Sequence, residues 1–89
     1  MYFDLIRWDA RDDPNGNVEH IADNGVRPEE VEYVLQMAYE SDVGRSRSSG
    51  LPAVIGDTAR GRSLFVVFRR SKVDGLVIID PATAIDHEG

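Results

Sequence analysis

The chemistry open to this chain rests on one histidine and a set of arginines. His20 is the only histidine inside an element that the sequence predicts, and an imidazole takes up or releases a proton near neutral pH. It can act as a general base or acid, or donate to a phosphate; the plainer alternative is a capping or surface group. Asp57-Thr58-Ala59-Arg60-Gly61-Arg62 is the best candidate for a binding loop. Its glycine lets the backbone approach a ligand, Thr58 offers a hydroxyl, and the guanidinium groups of Arg60 and Arg62 recognise phosphate in a bidentate way. No helix follows it, so it is not a P-loop. An ordinary hairpin turn with arginines for solubility is the competing reading.

These arginines belong to a longer basic segment. Seven of the ten basic residues (Arg45, Arg47, Arg60, Arg62, Arg69, Arg70 and Lys72) lie between Gly44 and Lys72, where Asp57 is the only acid, giving a formal +6. Residues 1–43 carry −8 and residues 73–89 carry −4, within a net charge of −6. A basic segment inside an acidic chain can form a phosphate or acidic-partner site that the overall charge hides, with Arg45 and Arg47 among its ligands. Two solvated faces of opposite sign, attracting each other across one small fold, are the bland alternative. The acidic total argues against bulk, non-specific nucleic-acid binding, which needs many neutralised phosphates.

The acids form no catalytic pair, and there is no metal-ligand constellation of histidine and carboxylates at helical spacing, so neither a metal nor a cofactor is expected. With no cysteine there is no disulfide, thiol nucleophile or Cys-based metal site. The longest apolar run, Leu64 to Phe68, is too short to cross a bilayer, and the acidic N-terminus does not read as a signal peptide, so the cytoplasm is expected.

At 89 residues the chain is one domain that buries roughly 60–65% of its unfolded surface. Tyr2 to Trp8 reads as a first strand, with Trp8 expected to pack over a helix, stacking on a base being the alternative. Asp12-Asp13-Pro14 reads as a helix start; that helix carries Val18, Ile21 and Ala22 on one stripe, Asn17, His20 and Asn24 on another, and stops at Asn24-Gly25. Pro28 opens a second helix with Val31, Val34, Leu35 and Ala38 as its apolar face. Arg27 at its cap position forfeits roughly 1 kcal/mol of capping. Residues 44–50 read as turn or edge, and Leu51 to Ile55 as an edge strand containing Pro52. Ser63 to Phe68, apolar on both faces, should be the central strand, returning at Asp74-Gly75 into Leu76 to Ile79. Arg69 and Arg70, adjacent on a strand, should face opposite ways. Pro81 should end the last strand, so the expectation is one domain over residues 1–82 and a disordered tail over 83–89. The fold class is α+β, in the order β-α-α-β-β-β, with two helices packed on a small antiparallel sheet.

Trp8-Asp9, Asn17, His20-Ile21, Gly25-Val26 and Glu29-Glu30-Val31-Glu32 resemble the BrnT-like family, as do Ile55-Gly56, Thr58, Gly61-Arg62 and Pro81-Ala82-Thr83. The resemblance covers about Phe3 to Thr83. Members are ribonuclease toxins of type II toxin–antitoxin pairs with a RelE-like fold. The resemblance implies metal-independent RNA cleavage, with His20 as acid or base, Arg62 and Arg60 as a phosphate clamp, and Thr58 orienting the phosphate or the arginines. It also implies a cognate antitoxin, a small DNA-binding protein. The chain departs from the family pattern at Asn24, where the family has histidine, beside Asn17, where it has lysines, and at Asp80, where a basic residue is common. Those losses support a second expectation: a toxin-like binding domain without catalysis, engaging an acidic protein or a nucleic-acid backbone.

Overall fold

The computed structural model describes residues 1–87. Its elements are β1 (Leu5–Ile6), α1 (Asn17–Ala22), α2 (Pro28–Met37), a single 3-10 turn (Glu40–Asp42), β2 (Gly44–Arg45), β3 (Pro52–Asp57), β4 (Ser63–Val73) and β5 (Leu76–Asp86). The five strands form one sheet in the order β1-β5-β4-β3-β2. β1 runs parallel to β5 and the other pairs are antiparallel, so the sheet is mixed and not purely antiparallel as the pattern suggested.

Strand β4 is central and long, as its two-sided apolar character requires. Leu64, Val66 and Phe68 on one face are fully buried against Val31, Val34 and Leu35 of α2 and Ile21 of α1. Trp8 packs against this core and donates its indole N–H to Glu32 of α2 at 3.2 Å. Gly56 of β3 lets α2 come close: a Cβ there would stand 2.9 Å from Val34 Cγ1. At the start of α2, Glu30 Oε1 accepts the Arg27 N–H at 3.0 Å, which makes up part of the missing cap.

Helix α1 starts later than the Asp-Pro signal suggests. The Asp13 carboxylate accepts the Asn15 N–H at 3.0 Å and holds Pro14 in a turn, so the helix opens at Asn17 with Gly16 before it. Gly16 is required there, because a Cβ would lie 2.8 Å from that of Asp9.

Pro81 does not end the last strand, and the expected tail from residue 83 is strand as far as Asp86. Residues 83–86 pair with 64–67 of β4 beyond an irregularity at Val67/Phe68, so this part of the predicted disordered segment belongs to the sheet. Proline is tolerated because its nitrogen faces away from β4, towards β1. The β1 ladder runs Arg7 N–H to Ile79 C=O at 2.8 Å, and the next donor in register would be residue 81. Proline has no N–H to give, and the Asn17 amide donates to the Arg7 carbonyl in its place at 3.1 Å. The strand β1 stops there, and α1 with the turn after it takes over the free edge of β5: Asn17 donates to Pro81 C=O and Asn24 to Ala84 C=O, both at 3.2 Å. The remainder of the expected tail, residues 88–89, lies outside the described residues.

Candidate functional site

The strand register splits the basic segment. Arg45 pairs with Pro52 at one end of β3, with Arg47 in the adjoining loop. Arg60 and Arg62 lie beyond Asp57 and Ser63, which pair at the other end. Five residues of extended chain, at about 3.4 Å each, put roughly 17 Å between the two groups. The four arginines therefore fall into two groups, Arg45 with Arg47 and Arg60 with Arg62, at opposite ends of β3.

Arg62 is engaged inside the protein. Its guanidinium donates to Asp86 Oδ2 at 2.9 Å and to Gly25 C=O at 2.9 Å, and Glu30 Oε2 stands 3.5 Å away. The Asp86 bond and the nearby Glu30 charge raise the Arg62 pKa above its ordinary value, against partial burial. This arginine ties the β3–β4 turn to the end of α1, the start of α2 and the end of β5. Gly25 contributes its carbonyl from a turn with φ of +73°, which favours glycine. Thr58 is buried and accepts the Arg62 N–H through Oγ1 at 3.1 Å, so its hydroxyl closes the turn. Arg60 borders a hollow of about 210 Å³ shared with Glu29 and Glu30, whose carboxylates oppose a bound phosphate.

His20 faces a different arginine. It lines an open, mostly polar depression of about 300 Å³ together with Asn17, Arg69, Asp80 and Asp9. Arg69 and Asp80 are direct cross-strand partners, but Arg7 holds the Asp80 carboxylate through two bonds of 2.6 and 2.8 Å. That pairing raises the Arg7 pKa. The Arg69 guanidinium has no hydrogen bond or ion pair among the described residues and is exposed. Asn17 cannot serve a ligand freely: its oxygen accepts the Asp9 N–H at 2.8 Å and its nitrogen supplies the two carbonyl bonds described above. Arg70 points to the other sheet face, as adjacency on a strand requires, where it lies 5.8 Å from the Phe68 ring and bonds Glu40.

The depression thus offers an imidazole and an unpaired guanidinium around one polar space, with the Asp9 carboxylate near them. No signal in the sequence joined His20 to Arg69. Their proximity depends on α1 lying along the edge of β5 and on the hairpin register, neither of which is local. Among the described residues no group of three or more His, Asp or Glu side chains stands close enough to hold a metal, and no helix is long and apolar enough to cross a membrane. No family model, curated protein or solved structure matches this chain.

Proposed function

We propose that this protein is a toxin-like, metal-independent ribonuclease with a RelE-like arrangement, and that its reacting centre is the His20–Arg69 depression. The observation that carries this reading is the unpaired Arg69 guanidinium beside His20 in a polar hollow of about 300 Å³. The neutral imidazole takes the proton of a ribose 2′-hydroxyl, and that oxygen attacks the adjacent phosphorus. Arg69 stabilises the charge that builds on the phosphoryl oxygens. The bond to the 5′-oxygen breaks, and the leaving oxygen takes a proton from water. The products are a 2′,3′-cyclic phosphate and a 5′-hydroxyl, and His20 returns its proton to solvent. In this reading Arg62, which the resemblance put in a phosphate clamp with Arg60, and Thr58, which it had orient the phosphate or the arginines, serve the fold through their internal bonds. In the cell a small DNA-binding antitoxin would mask the centre.

Controlled expression tests the reading: growth and total RNA integrity are followed for wild type, His20→Ala and Arg69→Ala at equal protein level. Growth arrest with RNA decay, relieved by either substitution, is the expected result. Normal growth with intact RNA from soluble wild type contradicts it. A second reading, a non-catalytic domain that engages an acidic protein or a nucleic-acid backbone through the basic segment, is favoured by the engagement of Arg62 inside the protein. It requires an acidic protein or RNA to bind without cleavage, with affinity falling steeply as salt rises.

A further inference from the structure

A second surface lies on the opposite edge of the sheet. Strand β2 pairs only with Pro52 and Ala53, so β3 is open from Ile55 to Asp57. In an antiparallel strand successive residues direct their peptide groups to alternate sides. Thr58 N–H bonds Arg62 C=O inward to the β4 side, and Leu51 C=O accepts Ser46 N–H outward on the β2 side. By that alternation Ile55 and Asp57 point their N–H and C=O groups outward, and neither has a backbone partner there among the described residues. Beside this edge runs a groove of about 280 Å³ between α2 and β3, bordered by Tyr33, Met37, Tyr39, Ile55 and Gly56. Met37 is 63% exposed and Tyr39 75%, an unusual outlay of apolar surface next to an unpaired strand edge. Two acids, Asp42 and Asp57, line the groove, and Asp57 has no ion pair among the described residues; Arg45 stands with Asp42 and Ile55 at the β2 end of the edge.

We propose that this edge binds an extended, basic peptide segment of a partner protein, which adds a strand outside β3. Backbone bonds to Ile55 and Asp57 fix its register, as in β-strand addition generally. Alternate side chains of such a strand fall on the two sheet faces. Those on the helix side enter the apolar groove against Met37 and Tyr39, and those on the other side meet Asp57. Apolar and basic residues in alternation satisfy both. A second copy of this chain is a poor occupant, because it would bring the Asp42 and Asp57 rims of two proteins of charge −6 together. This surface is separate from the His20–Arg69 depression, and the proposal does not depend on the ribonuclease reading.

The test uses an alternating Val–Lys octapeptide as probe, an alternating Val–Glu octapeptide as control, and amide hydrogen exchange on the full chain. Saturable binding of the Val–Lys peptide that slows exchange at Ile55 and Asp57, with at least ~10-fold weaker binding of the Val–Glu peptide, is expected. Ile55→Pro removes an outward N–H that has no partner in the fold, so the variant should stay folded and lose binding. If that variant does not fold, Asp57→Lys, at an exposed and unpaired position, carries the test and should weaken binding at least ~10-fold. Absence of binding by wild type, equal binding of both peptides, or binding unchanged in the folded variants overturns the proposal. So does a dimer in light scattering that protects the same two amides without peptide.

Discussion

Replacing Arg62 with alanine separates a structural arginine from a catalytic one. The side chain is 30% exposed, its partners Glu30 and Asp86 are 18% and 36% exposed, and its contacts are 2.9, 2.9 and 3.5 Å long. Hydrogen bonds to charged groups contribute about 1.5–3 kcal/mol when shielded, and exposed ion pairs about 0–1 kcal/mol. At this exposure the Asp86 and Gly25 bonds are worth about 1 kcal/mol each and the long Glu30 contact less, for a loss of about 2 kcal/mol. For a domain of this size each kcal/mol moves Tm by about 4–8 °C, so Arg62→Ala should melt roughly 10 °C lower. Arg62→Lys keeps the charge but not the planar fork, and should fall between the two. Thermal unfolding followed by circular dichroism measures this directly. A Tm within ~2 °C of wild type, accompanied by loss of RNA cleavage, would refute the structural assignment and return Arg62 to the reacting centre.

Asn17→Ala removes three side-chain bonds that join the β1 end, the following loop and β5, and should cost about 2–3 kcal/mol in denaturant unfolding. An unchanged midpoint would deny Asn17 its role as the substitute donor for Pro81. Gly56→Ala places a Cβ 2.9 Å from the buried Val34 Cγ1, and overpacking of about 1–3 kcal/mol should exceed any gain from a stiffer unfolded chain. Greater stability in that variant would show that α2 is free to move off β3. The Asp4 carboxylate accepts bonds from the Tyr2 hydroxyl and the Val77 N–H, which lower its pKa from the ordinary 3.8, the Tyr2 bond most. Its contribution to stability is complete above that ordinary value and is lost as pH falls through the lowered folded one. Asp4→Asn should therefore flatten the acid limb of stability against pH below about 4, and a limb unchanged by that substitution would contradict it.

Local signals carried much of the fold. Pro28 with Glu29 and Glu30 marks α2, the two-sided apolar run marks β4, and the Asp74-Gly75 turn has positive φ at both residues, as its type requires. Apart from the late start of α1, which a local Asp13–Asn15 bond explains, the misreadings depended on distant partners. Pro81 looked like a strand stop because the side its nitrogen faces is set by pairing, and its missing N–H is replaced from a helix 64 residues away in sequence. Parallel pairing of β1 likewise needs the whole chain between it and β5. Among the expected site residues, His20 lies in a polar depression, but the arginine beside it is Arg69 and not Arg62. Clustering in sequence put Arg45, Arg47, Arg60 and Arg62 in one segment. The β3 strand then carried them to opposite ends, because charge pattern does not encode register. The adjacency of Arg69 and Arg70 was legible, since strand geometry alone sends them to opposite faces.

The ribonuclease account stands most directly on the products made by purified protein from a short single-stranded RNA in the presence of a chelator. It predicts fragments ending in 2′,3′-cyclic phosphate and 5′-hydroxyl, with the rate cut by about 10²-fold or more in folded His20→Ala. A comparable fall is expected in folded Arg69→Ala, where a stabilising donor is lost. Intact RNA with wild-type protein, or cleavage undiminished in both variants, would contradict it.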